Sequence, residues 1–129
     1  MSVLLLTIAA CALVGPARPG VAVTITPESA GRPIELRTDQ ALLVRLPSNL
    51  VTGYRWSLAA APSDVLRLAG PPAFERDTTG AGGVGAPGTE VWRFTPAGKG
   101  ERTLLFDYRL PWDVDAPPVR QLSFTVTVR

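Results

Sequence analysis

The stretch "QLSFTVTVR", Gln121 to Arg129, sets Leu122, Phe124, Val126 and Val128 on one parity and Ser123, Thr125 and Thr127 on the other. A period of two gives a β-strand one dry face and one wet face, and a 3.6-residue helix cannot segregate these residues. The same period recurs upstream. Val21, Val23 and Ile25 alternate with Ala22, Thr24 and Thr26; Ile34 and Leu36 alternate with Glu35 and Arg37; Leu42, Val44 and Leu46 share one parity. Tyr54, Trp56 and Leu58 follow, then Val65 to Leu68 with a Pro-interrupted continuation to Arg76, then Trp92 with Phe94, and Leu104 and Phe106 with Tyr108.

With 13 Pro and 12 Gly spread along the chain, no window beyond the N-terminal segment keeps a helical apolar period, so helix is all but excluded. A chain of 129 residues has room for one domain of common size. Short alternating strands at this spacing predict an all-β, immunoglobulin-like β-sandwich of about 7–9 antiparallel strands. The domain is expected over residues 20–129.

Composition limits the chemistry. The chain has no His and a single Cys, which removes Ser-His-Asp and Cys-His catalysis and every His- or Cys-rich metal site. Its 11 acidic residues form no pair suited to acid-base work, so no enzyme activity, metal or cofactor is expected. The net charge of +2 comes from basic residues placed singly, 12 Arg and Lys99, without the concentrated basic face that nucleic-acid binding needs.

The first seventeen residues, "MSVLLLTIAACALVGPA", are uncharged, and their apolar run is too short to span a bilayer. They read as a signal peptide over residues 1–17. Ile8-Ala9-Ala10-Cys11 resembles a lipobox, which would end the signal at Ala10 and attach the chain to a membrane through a lipidated Cys11. Cleavage after Ala17, giving an ordinary secreted or periplasmic protein, is the competing reading, and a retained N-terminal strand is the third. Export would leave a domain with no disulfide, since there is no second cysteine.

In an antiparallel sandwich successive connections alternate between the two ends. Counting from the strand that ends at Leu46, the turn Pro47 to Gly53, the loop Gly80 to Gly88 and the loop Leu110 to Pro118 fall at one end. The link at Ala61 to Asp64 and the turn Ala97 to Gly100 fall at the other. The three loops that converge are also the three of unusual composition: aliphatic Leu50 and Val51 in the first, glycines in the second, and Trp112 behind Pro111 in the third. Gly80 to Gly85 has the letters of a dinucleotide fingerprint but leads into Ala86-Pro87-Gly88 and a strand, where that motif requires a helix. Together the loops read as a binding edge with apolar anchors and a glycine seam.

These residues resemble the chagasin-like inhibitors of papain-type cysteine proteases. That family has an Asn-Pro-Thr-Thr-Gly-Tyr/Phe turn followed by Trp, a Gly-x-Gly-Gly loop, and an Arg-Pro-Trp turn after a strand ending in Tyr. The matching stretches are "NLVTGYRW" (Asn49 to Trp56), "GAGG" (Gly80 to Gly83) and "YRLPW" (Tyr108 to Trp112). The resemblance implies a monomeric sandwich whose three loops wedge reversibly into the cleft of a papain-like cysteine protease. It also implies the binding residues: Asn49, Leu50, Val51, Thr52, Gly53 and Tyr54, then Gly80, Ala81, Gly82 and Gly83, then Leu110, Pro111 and Trp112. Leu50 stands where the family has Pro, Val51 where it has the first Thr, and Leu110 where it has Arg, with Arg109 one position early. Gly53 is expected to be a positive-φ corner, and Tyr54 and Trp56 to support the fold. A non-inhibitory immunoglobulin-like module, or a surface lipoprotein that recognises a peptide, glycan or protein, is the alternative.

Overall fold

The computed structural model describes residues 21–60, 64–77 and 87–129. The signal-peptide segment with Cys11, and the glycine stretch Gly80 to Gly83, lie outside the described residues.

Among the described residues, nine strands form two sheets. In chain order they are β1 (Val23–Ile25), β2 (Ile34–Leu36), β3 (Leu42–Asn49), β4 (Arg55–Ala60), β5 (Leu66–Leu68), β6 (Ala73–Arg76), β7 (Pro87–Pro96), β8 (Gly100–Arg109) and β9 (Arg120–Val128). One sheet runs β1-β3-β7, with β5 and β6 on the far side of β7; the other runs β2-β9-β8-β4. No α-helix occurs among the described residues, only 3₁₀ turns at Pro27–Ser29 and Leu50–Thr52.

The alternation read from the sequence is the alternation that is buried. Leu42, Val44, Leu46, Trp92 and Phe94 of the first sheet meet Leu104, Phe106, Phe124 and Val126 of the second. Phe106 sits fully buried among three aromatic rings, edge-on to Trp92 at 5.3 Å, Phe94 at 6.3 Å and Phe124 at 6.0 Å. Such pairs add about 0.5–1.5 kcal/mol each beyond the area they bury, so this cluster fixes how the two sheets are stacked.

Three features depart from the reading of the sequence. First, β1 pairs parallel with β3, and β2 parallel with β9, whereas antiparallel strands were predicted throughout. A hairpin can join only antiparallel neighbours, and a parallel pair needs a crossover. Here β2, in the opposite sheet, is the crossover between β1 and β3. Second, β3 continues through Pro47 and Ser48 to Asn49, residues expected in the turn. Proline is tolerated because β1 pairs only as far as Val44, so at Pro47 the strand has β7 on one side and an open edge on the other. Third, β7 already begins at Pro87, inside the expected loop Gly80 to Gly88.

The Pro-interrupted continuation from Val65 to Arg76 is present as β5 and β6, which follow one another along the same edge of β7. Gly70, at φ +88°, with Pro71 and Pro72 bulges out between them.

Candidate functional site

The end of the sandwich that carries the first and third loops is built on strand register. Asn49 closes β3 opposite Pro87, and Arg55 opens β4 opposite Arg109, the last residue of β8. The turn between Asn49 and Arg55 and the loop from Leu110 to Val119 therefore leave the sheets at the same level. Asp77 N–H donates to the Pro87 carbonyl at 3.0 Å, and Arg76 pairs with Gly88. The flanks of the glycine stretch thus reach this end too, beside Asn49.

The first loop is a capped 3₁₀ turn. The Asn49 side-chain oxygen accepts from Val51 N–H at 3.0 Å, satisfying an amide that the start of a helical turn leaves free. Thr52 Oγ1 donates to the Asn49 carbonyl at 2.8 Å and accepts from Tyr54 N–H at 3.3 Å. The Thr52 hydroxyl is therefore committed to bracing its own loop. Gly53 N–H closes the turn on the Leu50 carbonyl at 3.3 Å, with Gly53 at φ +81°, the positive-φ corner predicted for it. Glycine adopts this conformation without the penalty a β-carbon brings. Leu50 and Val51 are left at the tip, 38% and 66% exposed.

Support comes from aromatic stacking below the tip. Tyr54 stacks on Tyr108 at 5.5 Å, and Trp56 packs on the same ring at 4.7 Å. Trp56 is buried and Tyr54 half-buried, which agrees with their reading as supports.

The third loop is held at both ends. Asp113 N–H donates to the Leu110 carbonyl at 3.1 Å, and Val119 N–H to the Tyr108 carbonyl at 2.9 Å. Arg109, the residue displaced by one from the family's position, is half-buried beneath the third loop. Its guanidinium lies 3.4 Å from Asp107 and donates to the Val114 carbonyl at 3.3 Å, tying the loop to its own strand. Pro111 is exposed, and Trp112 projects with 71% of its surface in solvent.

The two loops touch. A β-carbon at Gly53 would lie 2.8 Å from Cη2 of Trp112 and 3.5 Å from a methyl carbon of Leu110. The indole thus lies across the glycine corner, and Leu50, Val51 and Trp112 share one edge. Sequence reading missed two more apolar residues on the third loop, Val114 at 72% and Val119 at 64% exposure. Their spacing carries no periodic signal, so only the loop's path reveals them. Among the seven large apolar residues exposed in the described chain, five belong to these two loops.

A two-sheet immunoglobulin-like sandwich that gathers braced apolar loops at one end is built to bind another protein. The model of the chagasin family peptidase inhibitor I42 matches residues 35–128, and the chain belongs to that family of peptidase inhibitors. It is 25% identical over 96 residues to Amoebiasin-2 of Entamoeba histolytica, covering 74% of this chain and 76% of the relative. The fold is similar to the crystal structure of the cysteine protease inhibitor EhICP2 from Entamoeba histolytica, with a TM-score of 0.74 at 19% identity over 88% of this chain and 100% of that one. It is also similar to the structure of PbICP-C in complex with falcipain-2, with a TM-score of 0.52 at 16% identity over 90% of this chain and 96% of that one.

Proposed function

We propose that the protein inhibits papain-like cysteine proteases by reversible occlusion of the active-site cleft with the loop end of the sandwich. The reading rests on one observation above the others: Trp112 lies on Gly53, so the two described loops form a single apolar edge. Membership of a peptidase-inhibitor family and the complex formed by PbICP-C support the choice of partner.

Leu50 and Val51 enter the cleft as the central wedge, Trp112 is an aromatic anchor beside them, and the glycine motif Gly80 to Gly83 is the third contact, where missing side chains permit backbone approach. Burying an exposed aliphatic or aromatic side chain contributes about 1.5–3 kcal/mol, against the cost of association. The hydrogen bonds of Asn49 and Thr52 fix the tip before binding, which lowers that cost. No bond is made or broken, and the inhibitor works as a monomer without a cofactor.

Residues 1–17 serve as an export signal in this reading, and mass spectrometry of the mature N-terminus separates a lipidated Cys11 from cleavage after Ala17. Function is tested by titrating papain with the folded protein against a small peptide substrate. Competitive, reversible inhibition with the inhibitor recovered intact is expected; an unchanged rate at micromolar protein would refute the proposal for papain.

A further inference from the structure

Glu90 is the most deeply buried charged side chain among the described residues, 1% exposed, and the binding edge makes no use of it. It lies on β7 with the parity of Trp92 and Phe94, on the inner face of its sheet. One carboxylate oxygen crosses the sandwich to accept from the Trp56 backbone N–H at 3.1 Å, and the other has no partner. Strand β4 is an edge of its sheet, so its outward amides lack a ladder partner. Glu90 supplies one from the opposite sheet.

Trp56 is clamped a second time. Its indole Nε1–H donates to the Pro47 carbonyl at 2.9 Å. Pro47 stands two residues before Asn49, and Trp56 two residues after Tyr54. Both stems of the first loop, which rise from different sheets, are therefore joined at Trp56.

Removing a carboxylate from water is unfavourable, and one amide hydrogen bond with the second oxygen left unpaired does not offset it. An apolar residue of similar volume would be spared that cost but would leave the buried Trp56 N–H without an acceptor, so the two effects offset and Glu90 adds little net stability. The contribution of Glu90 is therefore to geometry. We propose that Glu90 is a positioning residue for inhibition: through the Trp56 amide it sets the separation and angle of the two stems, and so the placement of the Leu50–Val51 tip against Trp112. The activity arm of this inference rests on the inhibitory reading above; its amide arm does not.

The test compares Glu90→Leu with Glu90→Gln in the full-length protein. Glu90→Leu is expected to change the melting temperature little, to speed hydrogen exchange of the Trp56 amide but not those of β8 and β9, and to weaken papain inhibition about tenfold, the size of one hydrogen bond's net contribution. Glu90→Gln retains an acceptor oxygen and is expected to restore both exchange protection and inhibition. Wild-type inhibition by Glu90→Leu, or a loss that follows the melting temperature and is not rescued by Gln, overturns the proposal. Should Glu90→Leu fail to fold, the wild-type protein decides. A Trp56 amide that exchanges as slowly as the ladder amides of β8 supports the clamp, and one that exchanges freely overturns it. Since that exchange is read without protease, a failure of the clamp is distinguishable from a failure of the inhibitory reading.

Discussion

Gly53 lies beneath the indole of Trp112, so close that a β-carbon on residue 53 would stand 2.8 Å from Cη2. The corner that shapes the first loop is thus also the seat of the third loop's anchor. One glycine serves two purposes there, a positive φ and a close approach.

Gly53→Ala is therefore expected to do two kinds of damage. At φ +81° a β-carbon costs about 1 kcal/mol in backbone strain. The steric conflict moves Trp112 off its seat and weakens papain inhibition by more than that strain accounts for. Urea denaturation and inhibition constants measured side by side check this; a loss of stability with inhibition intact would show that the contact does not shape the binding edge.

Trp112→Ala separates binding from folding in the other direction. With 71% of its surface in solvent, the side chain contributes little to the core, so stability should change by no more than about 0.5 kcal/mol. Loss of an aromatic anchor should cost about 2 kcal/mol of binding, roughly a thirtyfold rise in the inhibition constant. A large drop in melting temperature would instead place Trp112 among the fold's supports.

Much of this was legible in the sequence, for a definite reason. Alternation of Leu122, Phe124, Val126 and Val128 with hydroxyl residues records burial directly, and the same signal marks each of the longer strands. The convergence of loops follows from strand direction, which the Asn49 to Pro87 and Arg55 to Arg109 pairings bear out for the first and third loops. The parallel pairing of β1 with β3 and of β2 with β9 was not legible, because a three-residue strand shows the same alternation whichever way its neighbour runs. Pro47 was misread as a turn residue because its tolerance depends on where β1 stops. Glu90 shares the parity of Trp92 and Phe94, but an acidic residue beside a glycine-rich loop carries no local sign of burial, which here comes from the Trp56 amide of the opposite sheet. The outward course of Val114 and Val119 is set by the hydrogen bonds of Arg109 and Val119, which no local pattern encodes.

Asn49→Ala removes the side-chain acceptor for Val51 N–H and should cost about 1 kcal/mol in stability, as other cap losses do. Asn49→Asp keeps the acceptor and should remain near wild type. Chemical denaturation distinguishes them, and equal stability of the two variants would mean that the cap does not hold the turn.

Phe106→Ala tests the core that carries the loops. The ring touches three other aromatics, and its removal should cost about 3–5 kcal/mol, much of the stability of a domain this size. Thermal melting by circular dichroism reads this directly; a loss of less than about 1 kcal/mol would show that the two sheets are not held by this cluster.

The central claim, that the loop end enters a papain-like cleft, is met most directly by hydrogen exchange on the protein with and without saturating papain. Protection is expected in peptides covering Asn49 to Tyr54 and Leu110 to Val119, with the opposite turn, Ala97 to Gly100, unchanged. Protection confined to that opposite turn, or the absence of protection in both loops, would contradict it.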